Sequence, residues 1–600
     1  MVQRLVRYVG IDFGTSSSVV AYKDYYQKSS SPDTLISVGS GDATLIYEGE
    51  DSPIVPTTVY RRPDGSFEFG RAALFAAEDD ESRLRQGFKT DLVEVEDKQA
   101  RGEAEELTRV FLQYLYKLYR GQARPIEEGR VDEERTWVSF PAKWPDPVRR
   151  LMIAAACEAG FPNVQDQGMA EPEAAMRYFA AVRSPEWDRL VSHSVIKAGK
   201  PLTVLLIDMG AGTTDLVLCT YVPGAGKLDV LYLWPPVDHF KRTRRSAKWH
   251  GWNVSGGEMD DLLLKQVIEP ILPESRRADP GLRFPVEVPR WKEATVSRKL
   301  ARHELVDKPY PLISAIFPPG NKPMLKLGRE QYEQMFSDYL ECYRELITGL
   351  CQNAAGKGGV KSAEDIDLVV LTGGHSAWYW ARDLLTSKAG NGQPLLPRIA
   401  REPERILQGT HPQESVARGM AMGGLPLKVT RVAANDAWLK IELTGEGGRG
   451  NSTLFRFQQA GAKLPLEYEM LDTEFDLPPN TSGLDFLHGE CTLTVGGRRN
   501  GSYVVGGKQF SKVVFYPPYP KFWGAIRRVF TSLEDSGELF IKVDVSEGEQ
   551  FIVRGFIDNG WGEWAKNSVG YFAIEDGASC GLTGDEEAAL RRARDRRNSA

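Results

Sequence analysis

Val9-Gly10-Ile11-Asp12-Phe13-Gly14-Thr15-Ser16-Ser17-Ser18-Val19-Val20-Ala21-Tyr22 returns, in pattern, as Leu205-Leu206-Ile207-Asp208-Met209-Gly210-Ala211-Gly212-Thr213-Thr214-Asp215-Leu216-Val217-Leu218. Each copy starts as an apolar β-run, sets one aspartate where the run ends, turns through glycine and continues through small hydroxyl residues into a second run. Both therefore predict tight hairpins. The turn offers backbone N–H groups and hydroxyls with no bulky side chain in the way, a cradle for phosphate oxygens. The aspartate beside it stands where a Mg²⁺ shell is wanted. One Gly-Thr turn alone is more often just a turn. Two copies, with aspartate at the same offset from glycine and threonine, read as two halves of a phosphate clamp.

The bulk numbers bound the rest. Six hundred residues exceed one core, so two or more domains are expected. At 42% hydrophobic and 26% charged the composition is that of an ordinary globular protein. A net charge of −7 argues against a nucleic-acid partner. No stretch approaches the roughly 20 apolar residues of a membrane span, and the first eight residues lack a signal-peptide core. Cys157, Cys219, Cys342, Cys351, Cys491 and Cys580 are scattered, several in apolar periodic segments. Buried free thiols and a cytoplasmic setting are the expectation.

Along the chain, residues 1–70 read as strands and turns, with polar loops near 27–33 and 39–42. A helical stripe is clearest over 103–119, where Leu107, Val110, Phe111, Tyr114, Leu115 and Leu118 share a face. A strand ending at Phe140-Pro141 precedes a helix with Asp146 at its N-cap and Gly160 past its end. Helices follow at Glu171-Pro172-Glu173-Ala174-Ala175 and at Ser255-Gly256-Gly257-Glu258, where N-terminal N–H groups favour anions. A long helix is expected over 328–353, its tyrosine, methionine and leucine stripe read as core. A third strand-to-glycine junction, Leu371-Thr372-Gly373-Gly374-His375, comes next, and a last helix over 413–422. Residues 427–575 alternate apolar and polar in short runs broken by Gly, Pro and Asn, the mark of an antiparallel β-domain. A charged helix or tail closes the chain at 585–597.

This order of hairpin, helices, copied hairpin, helices and strand-Gly-Gly-helix resembles the actin-like ATPase superfamily, and within it the seventy-kilodalton heat-shock chaperone family, in a divergent, lid-poor form. Val138-Ser139-Phe140-Pro141-Ala142 is similar to that family's V-T-V-P-A, and Glu171-Pro172-Glu173-Ala174-Ala175 to its E-P-T-A-A. Gly256-Gly257-Glu258-Met259-Asp260 resembles G-G-E-D-F-D, the Gly373-Gly374 junction its V-G-G-S adenosine turn, and residues 413–421 its second connecting helix. The resemblance implies an α/β fold: a duplicated actin-like (ribonuclease H-like) two-lobed ATPase domain over 1–425, with lobe I about 1–201, lobe II about 202–405 and a connecting helix about 411–424. A mainly β C-terminal domain follows over 426–600.

Carried over by position, the resemblance implies ATP/ADP and Mg²⁺ as cofactors. Asp12 and Asp208 would orient Mg²⁺ through its waters. Gly14, Thr15 and Ser16 would hold the phosphates, and Gly210, Ala211, Gly212 and Thr213 would cover them from the other side. Glu171 and Asp215 fall where the attacking water and the metal shell are positioned, with Lys89 as the water-orienting lysine. Gly256, Gly257, Gly373 and Gly374 would enclose ribose and adenine. The chain departs from the pattern at Ala211, His375, Ala377 and Gln413, which leaves the phosphate end better matched than the adenine end.

The implied function is an ATP-binding, ATP-hydrolysing chaperone whose nucleotide state is coupled to the β-domain, with an unfolded-peptide client or protein partner and no membrane. Two other classes stay open: a nucleotide-binding scaffold without turnover, and a small-molecule kinase on the same fold. A kinase would need a catalytic aspartate free of the clamp. Ordinary readings compete elsewhere: Glu171 also suits a helix first turn, and Lys241-Arg242-Thr243-Arg244-Arg245 suits a solvated loop.

Overall fold

The computed structural model describes residues 3–424, apart from 235–254, 273–290, 308–324 and shorter breaks, together with the backbone of strands between 428 and 573. By its contacts the chain divides into two units, Met1–Val429 and Thr430–Ala600. The loop at 241–245 and the tail at 585–597 lie outside the described residues.

The first hairpin is made by strands Gln3–Phe13 and Ser17–Lys28, and the second by Leu202–Met209 and Thr214–Val222. In each, the inner strand also pairs in parallel with a later one: Gln3–Phe13 with Glu133–Phe140, and Leu202–Met209 with Leu368–Thr372. Each parallel strand then takes a short parallel neighbour, Met169–Ala170 or Ile406–Gln408. Each hairpin's outer strand takes an antiparallel one, Ser31–Ser37 or Lys227–Trp234. The two sheets thus share strand order and strand direction over five strands. Central strands covered on both faces read as continuous apolar runs rather than alternating ones, and Val9, Ile11, Leu205, Leu206 and Ile207 are all buried.

Helices supply the cover. On one face of the first sheet, Phe13 and Ile11 pack with Leu107, Phe111 and Leu115 of helix Lys98–Gln122 and with Met152 and Ala156 of helix Asp146–Ala159. That second helix stops because Gly160 takes φ +103, a conformation open to glycine. On the other face, Val19 and Ala21 meet Ala417 and Ala421 of helix Ser415–Ala421. That helix crosses helix Glu171–Ala181 so closely that a Cβ on Gly419 would overlap the Ala174 carbonyl. The second sheet buries Leu205, Ile207, Met209 and Leu216 against Met259, Leu263, Tyr332, Tyr339 and Trp380.

Three expectations are corrected. The polar loop near 27–33 is narrower than expected, because residues 27–28 and 31–33 belong to the antiparallel strands Ser17–Lys28 and Ser31–Ser37. The helix over 328–353 is two, Arg329–Met335 and Ser337–Ala354, broken at Phe336 (φ −105, ψ 19). The Phe336 ring is buried against Tyr332 at 4.5 Å, so packing overrides helix continuity there. Among the described cysteines only Cys219 is fully buried, Cys342 and Cys351 are partly so, and Cys157 is exposed.

In the second unit, Ala437–Thr444 pairs with Gly450–Gln458 and Glu490–Arg499, and Glu538–Val545 pairs with Phe551–Asp558. All strand pairs described there are antiparallel.

Candidate functional site

The two hairpins place their aspartates equivalently. The first ladder ends at Phe13 opposite Ser18 and the second at Met209 opposite Thr214, so Asp12 and Asp208 each stand one residue inside. Asp12 accepts a hydrogen bond from Ser139 Oγ at 2.9 Å, delivered by the neighbouring parallel strand. Asp215 is the cross-strand partner of Asp208 and is buried with it, and Thr213 Oγ1 donates to Asp215 Oδ2 at 3.5 Å. Glu171 opens its helix directly after strand Met169–Ala170, which carries it to the same edge.

Lys89, on helix Phe88–Glu94, closes the group: its Nζ lies 2.8 Å from Glu171 Oε1, and both side chains are buried. The ring of Trp144 lies beside that ammonium, its centroid 5.2 Å from Nζ. Asp12, Asp208 and Glu171 thus lie within electrostatic reach of Lys89, and Asp215 within reach of Asp208. Burial, then Glu171, pushes the Asp12 carboxyl up to about 7 against the pull of Lys89 and Ser139. Asp208 is raised well above the usual carboxylate range by burial, then by Glu171, Asp215 and Asp12. Groups so perturbed at a shared edge mark a site that would bind a cation or a proton. Among the described residues no three are placed to ligate a bare metal ion directly. Two facing carboxylates of raised proton affinity do fit a hydrated divalent cation.

The hairpin tips converge as well. A Cβ on Gly212 would lie 3.0 Å from Thr15 Cβ, so the turn Gly210, Ala211, Gly212, Thr213 meets the turn Gly14, Thr15, Ser16. The glycine helix is tied to the second tip by backbone bonds, Gly256 N–H to Gly210 O and Gly257 N–H to Ala211 O, each 2.9 Å. Gly373, at φ +79, lets its turn approach Asp208, where a Cβ would come 2.5 Å from Oδ1. Gly374 faces Gln413 across 4.0 Å of equivalent space. Of the sixteen residues singled out from the sequence, thirteen lie at or directly after strand ends of the two sheets, while Lys89, Gly256 and Gly257 stand on helices Phe88–Glu94 and Gly256–Leu263.

His375 is buried, its Nε2 2.8 Å from Tyr339 OH. Ser376 Oγ bonds Gly373 O within the turn. Sequence reading missed Tyr339, taken for a core stripe residue, and Trp144, which no motif frames. It also missed Lys292, whose buried Nζ reaches Gly256 O at 3.1 Å and Asp260 Oδ1 at 2.5 Å.

No family model matches the chain. It is similar to the chaperone protein DnaK of Anaplasma marginale, 25% identical over 292 residues, 48% of this chain and 37% of that protein. It is 22% identical to the DnaK of Thermotoga petrophila over 453 residues, 73% of this chain and 62% of that one. The Thermotoga neapolitana DnaK is 23% identical over the same span of 453 residues. The chain thus spans 37% to 62% of the length of these curated relatives. Likeness at this level supports the superfamily of seventy-kilodalton heat-shock proteins and actin-like ATPases, and nothing narrower. Among the described residues no helix is long and apolar enough to cross a membrane.

Proposed function

We propose that residues 1–429 form a duplicated, two-lobed actin-like site that binds ATP with Mg²⁺ and hydrolyses it slowly, and that its nucleotide state is signalled to the β-rich unit. The observation that carries this is the convergence of Asp12, Asp208, Asp215, Glu171 and Lys89 at the strand ends of two sheets with one strand order. The DnaK likeness supports the nucleotide and the chaperone class.

In this reading the glycine turns cradle the phosphates with backbone N–H groups, and Thr15, Ser16 and Thr213 add hydroxyls. A hydrated Mg²⁺ between Asp12 and Asp208, when bound, would offset the negative charge of the phosphates. Lys89 and Glu171, fixed by each other at 2.8 Å, hold a water in line with the terminal phosphoryl group. The water oxygen forms the new bond to phosphorus as the bond to the bridging oxygen breaks. Rate then comes mainly from position and charge. The β-rich unit would hold a protein or unfolded-peptide client, in a cytoplasmic setting.

The test is phosphate release by the full chain with Mg²⁺-ATP, beside Asp12→Ala and Asp208→Ala. Turnover in wild type alone supports the proposal. If wild type binds ATP but turns over no faster than the variants, a non-hydrolysing scaffold replaces it. Transfer of the phosphate to an added metabolite would make the protein a kinase. Stimulation of turnover by an unfolded polypeptide tests the client.

A further inference from the structure

We propose that Tyr339, Tyr343 and His375 are positioning residues: a buried hydroxyl–imidazole brace that locks three glycine turns of the second sheet into one wall of the nucleotide site. This rests on the nucleotide reading above. The turns are the hairpin tip 210–213, the helix start at 255–257 and the junction 373–377.

Helix Ser337–Ala354 runs beneath all three. Tyr339 and Tyr343 are four residues apart, so their hydroxyls share one face. Tyr339 OH lies 2.6 Å from Ser255 O, 2.8 Å from His375 Nε2 and 3.4 Å from Tyr343 OH. Tyr343 OH lies 3.0 Å from Thr214 Oγ1. Each glycine turn therefore contributes one adjoining group to a single network: Thr214, Ser255 and His375.

The protons can be placed. A carbonyl only accepts, so Tyr339 donates to Ser255 O, and its oxygen accepts from His375 Nε2–H. That selects the Nε2–H tautomer and leaves Nδ1 a bare acceptor, which has no partner among the described residues. Burial and the nearby Lys292 ammonium keep the ring neutral. Trp380 seals the group, its ring centroid 4.9 Å from Tyr343, 5.7 Å from His375 and 6.0 Å from Tyr339.

Packing alone does not call for these polar atoms. Phenylalanine would fill the same volume without burying a hydroxyl, and a buried polar group is unfavourable unless satisfied. What the hydroxyls add is register between turns. Gly256 shows how little slack there is, since a Cβ there would come 3.0 Å from His375 Cβ.

The test is ATP titration of the full chain carrying Tyr339→Phe, Tyr343→Phe or both, with Tyr332→Phe as control. Tyr332 belongs to the same cluster, but its hydroxyl meets Met259 Sδ at 3.1 Å. Expected are an affinity loss of about fivefold to tenfold for Tyr339→Phe and a smaller one for Tyr343→Phe. The double variant should be non-additive, and KM should rise with kcat nearly unchanged. Tyr332→Phe should leave affinity as in wild type. Equal affinities for Tyr339→Phe and Tyr332→Phe would overturn the brace while ATP binding by wild type stood. A wild type that binds no ATP would overturn the nucleotide reading, and the brace with it.

Discussion

Gly212 and Thr15 touch: the tip of the second hairpin rests on the side chain at the tip of the first, with no room for a Cβ between them. Gly212→Ala must therefore rotate Thr15 away from its place. A threonine side chain can turn, so the fold should tolerate the change, whereas on the proposed reading the hydroxyl is lost to the phosphates. The expected result is a melting temperature close to wild type and ATP binding weakened about tenfold, roughly the worth of one charge-assisted hydrogen bond. Calorimetric titration beside a thermal melt would show it, and unchanged affinity would remove Thr15 from the site.

Lys89 and Glu171 form a buried ion pair, and the proposed function gives them a part in chemistry as well as in stability. Lys89→Ala leaves Glu171 buried without its cation, and breaking such a pair costs about 3–5 kcal/mol. Turnover should fall by roughly 10²-fold or more, the scale of losing a positioned electrostatic group. Lys89→Ala with Glu171→Gln should recover much of the stability and none of the activity. Recovery of both would make the pair purely structural.

Asp12 makes the apo protein less stable as pH rises. Its carboxyl is near 3.8 in the unfolded chain and about 7 in the fold. Between those values the folded state holds the extra proton, so stability declines with rising pH and levels off above 7. Asp12→Asn should accordingly raise the melting temperature at pH 8, with the gain shrinking toward pH 4. Mg²⁺-ATP should stabilise wild type and not the variant. A gain independent of pH would contradict the raised carboxyl.

Gly419 is a steric prediction. A side chain there meets the Ala174 carbonyl, which belongs to a helix backbone and cannot swing aside. Gly419→Val should destabilise by about 1–3 kcal/mol or more, the range for overpacking. Denaturant unfolding would measure it.

Much of the first unit was legible because its signals are local. An apolar run, an aspartate, glycines and hydroxyls within fourteen residues specify a hairpin whatever surrounds it, and both hairpins were read with their aspartates in place. What was illegible depends on distance or on competition. Lys89 was named only through the resemblance, since no motif frames it, and its pairing with Glu171 spans 82 residues. Phe336 breaks a helix with no glycine or proline to announce it, because its ring gains more from burial than the helix loses. Tyr339 obeyed its apolar stripe and still carried a hydroxyl with three neighbours, which periodicity cannot see. Residues 27–28 and 31–33 looked like loop because an edge strand needs no apolar alternation to pair along one side.

The crossing of helices at Gly419 and Ala174 has a mechanical meaning. Where helices interlock through side chains, turning one against the other means lifting ridges out of grooves. Here backbone lies on backbone, and Gly10 likewise brings the first strand against Ala417 without a side chain of its own. A side chain at either glycine would push helix Ser415–Ala421 away from strand Gln3–Phe13 or helix Glu171–Ala181, and the segment that follows it, Met422–Gly424, is the last helical turn before the β-rich unit.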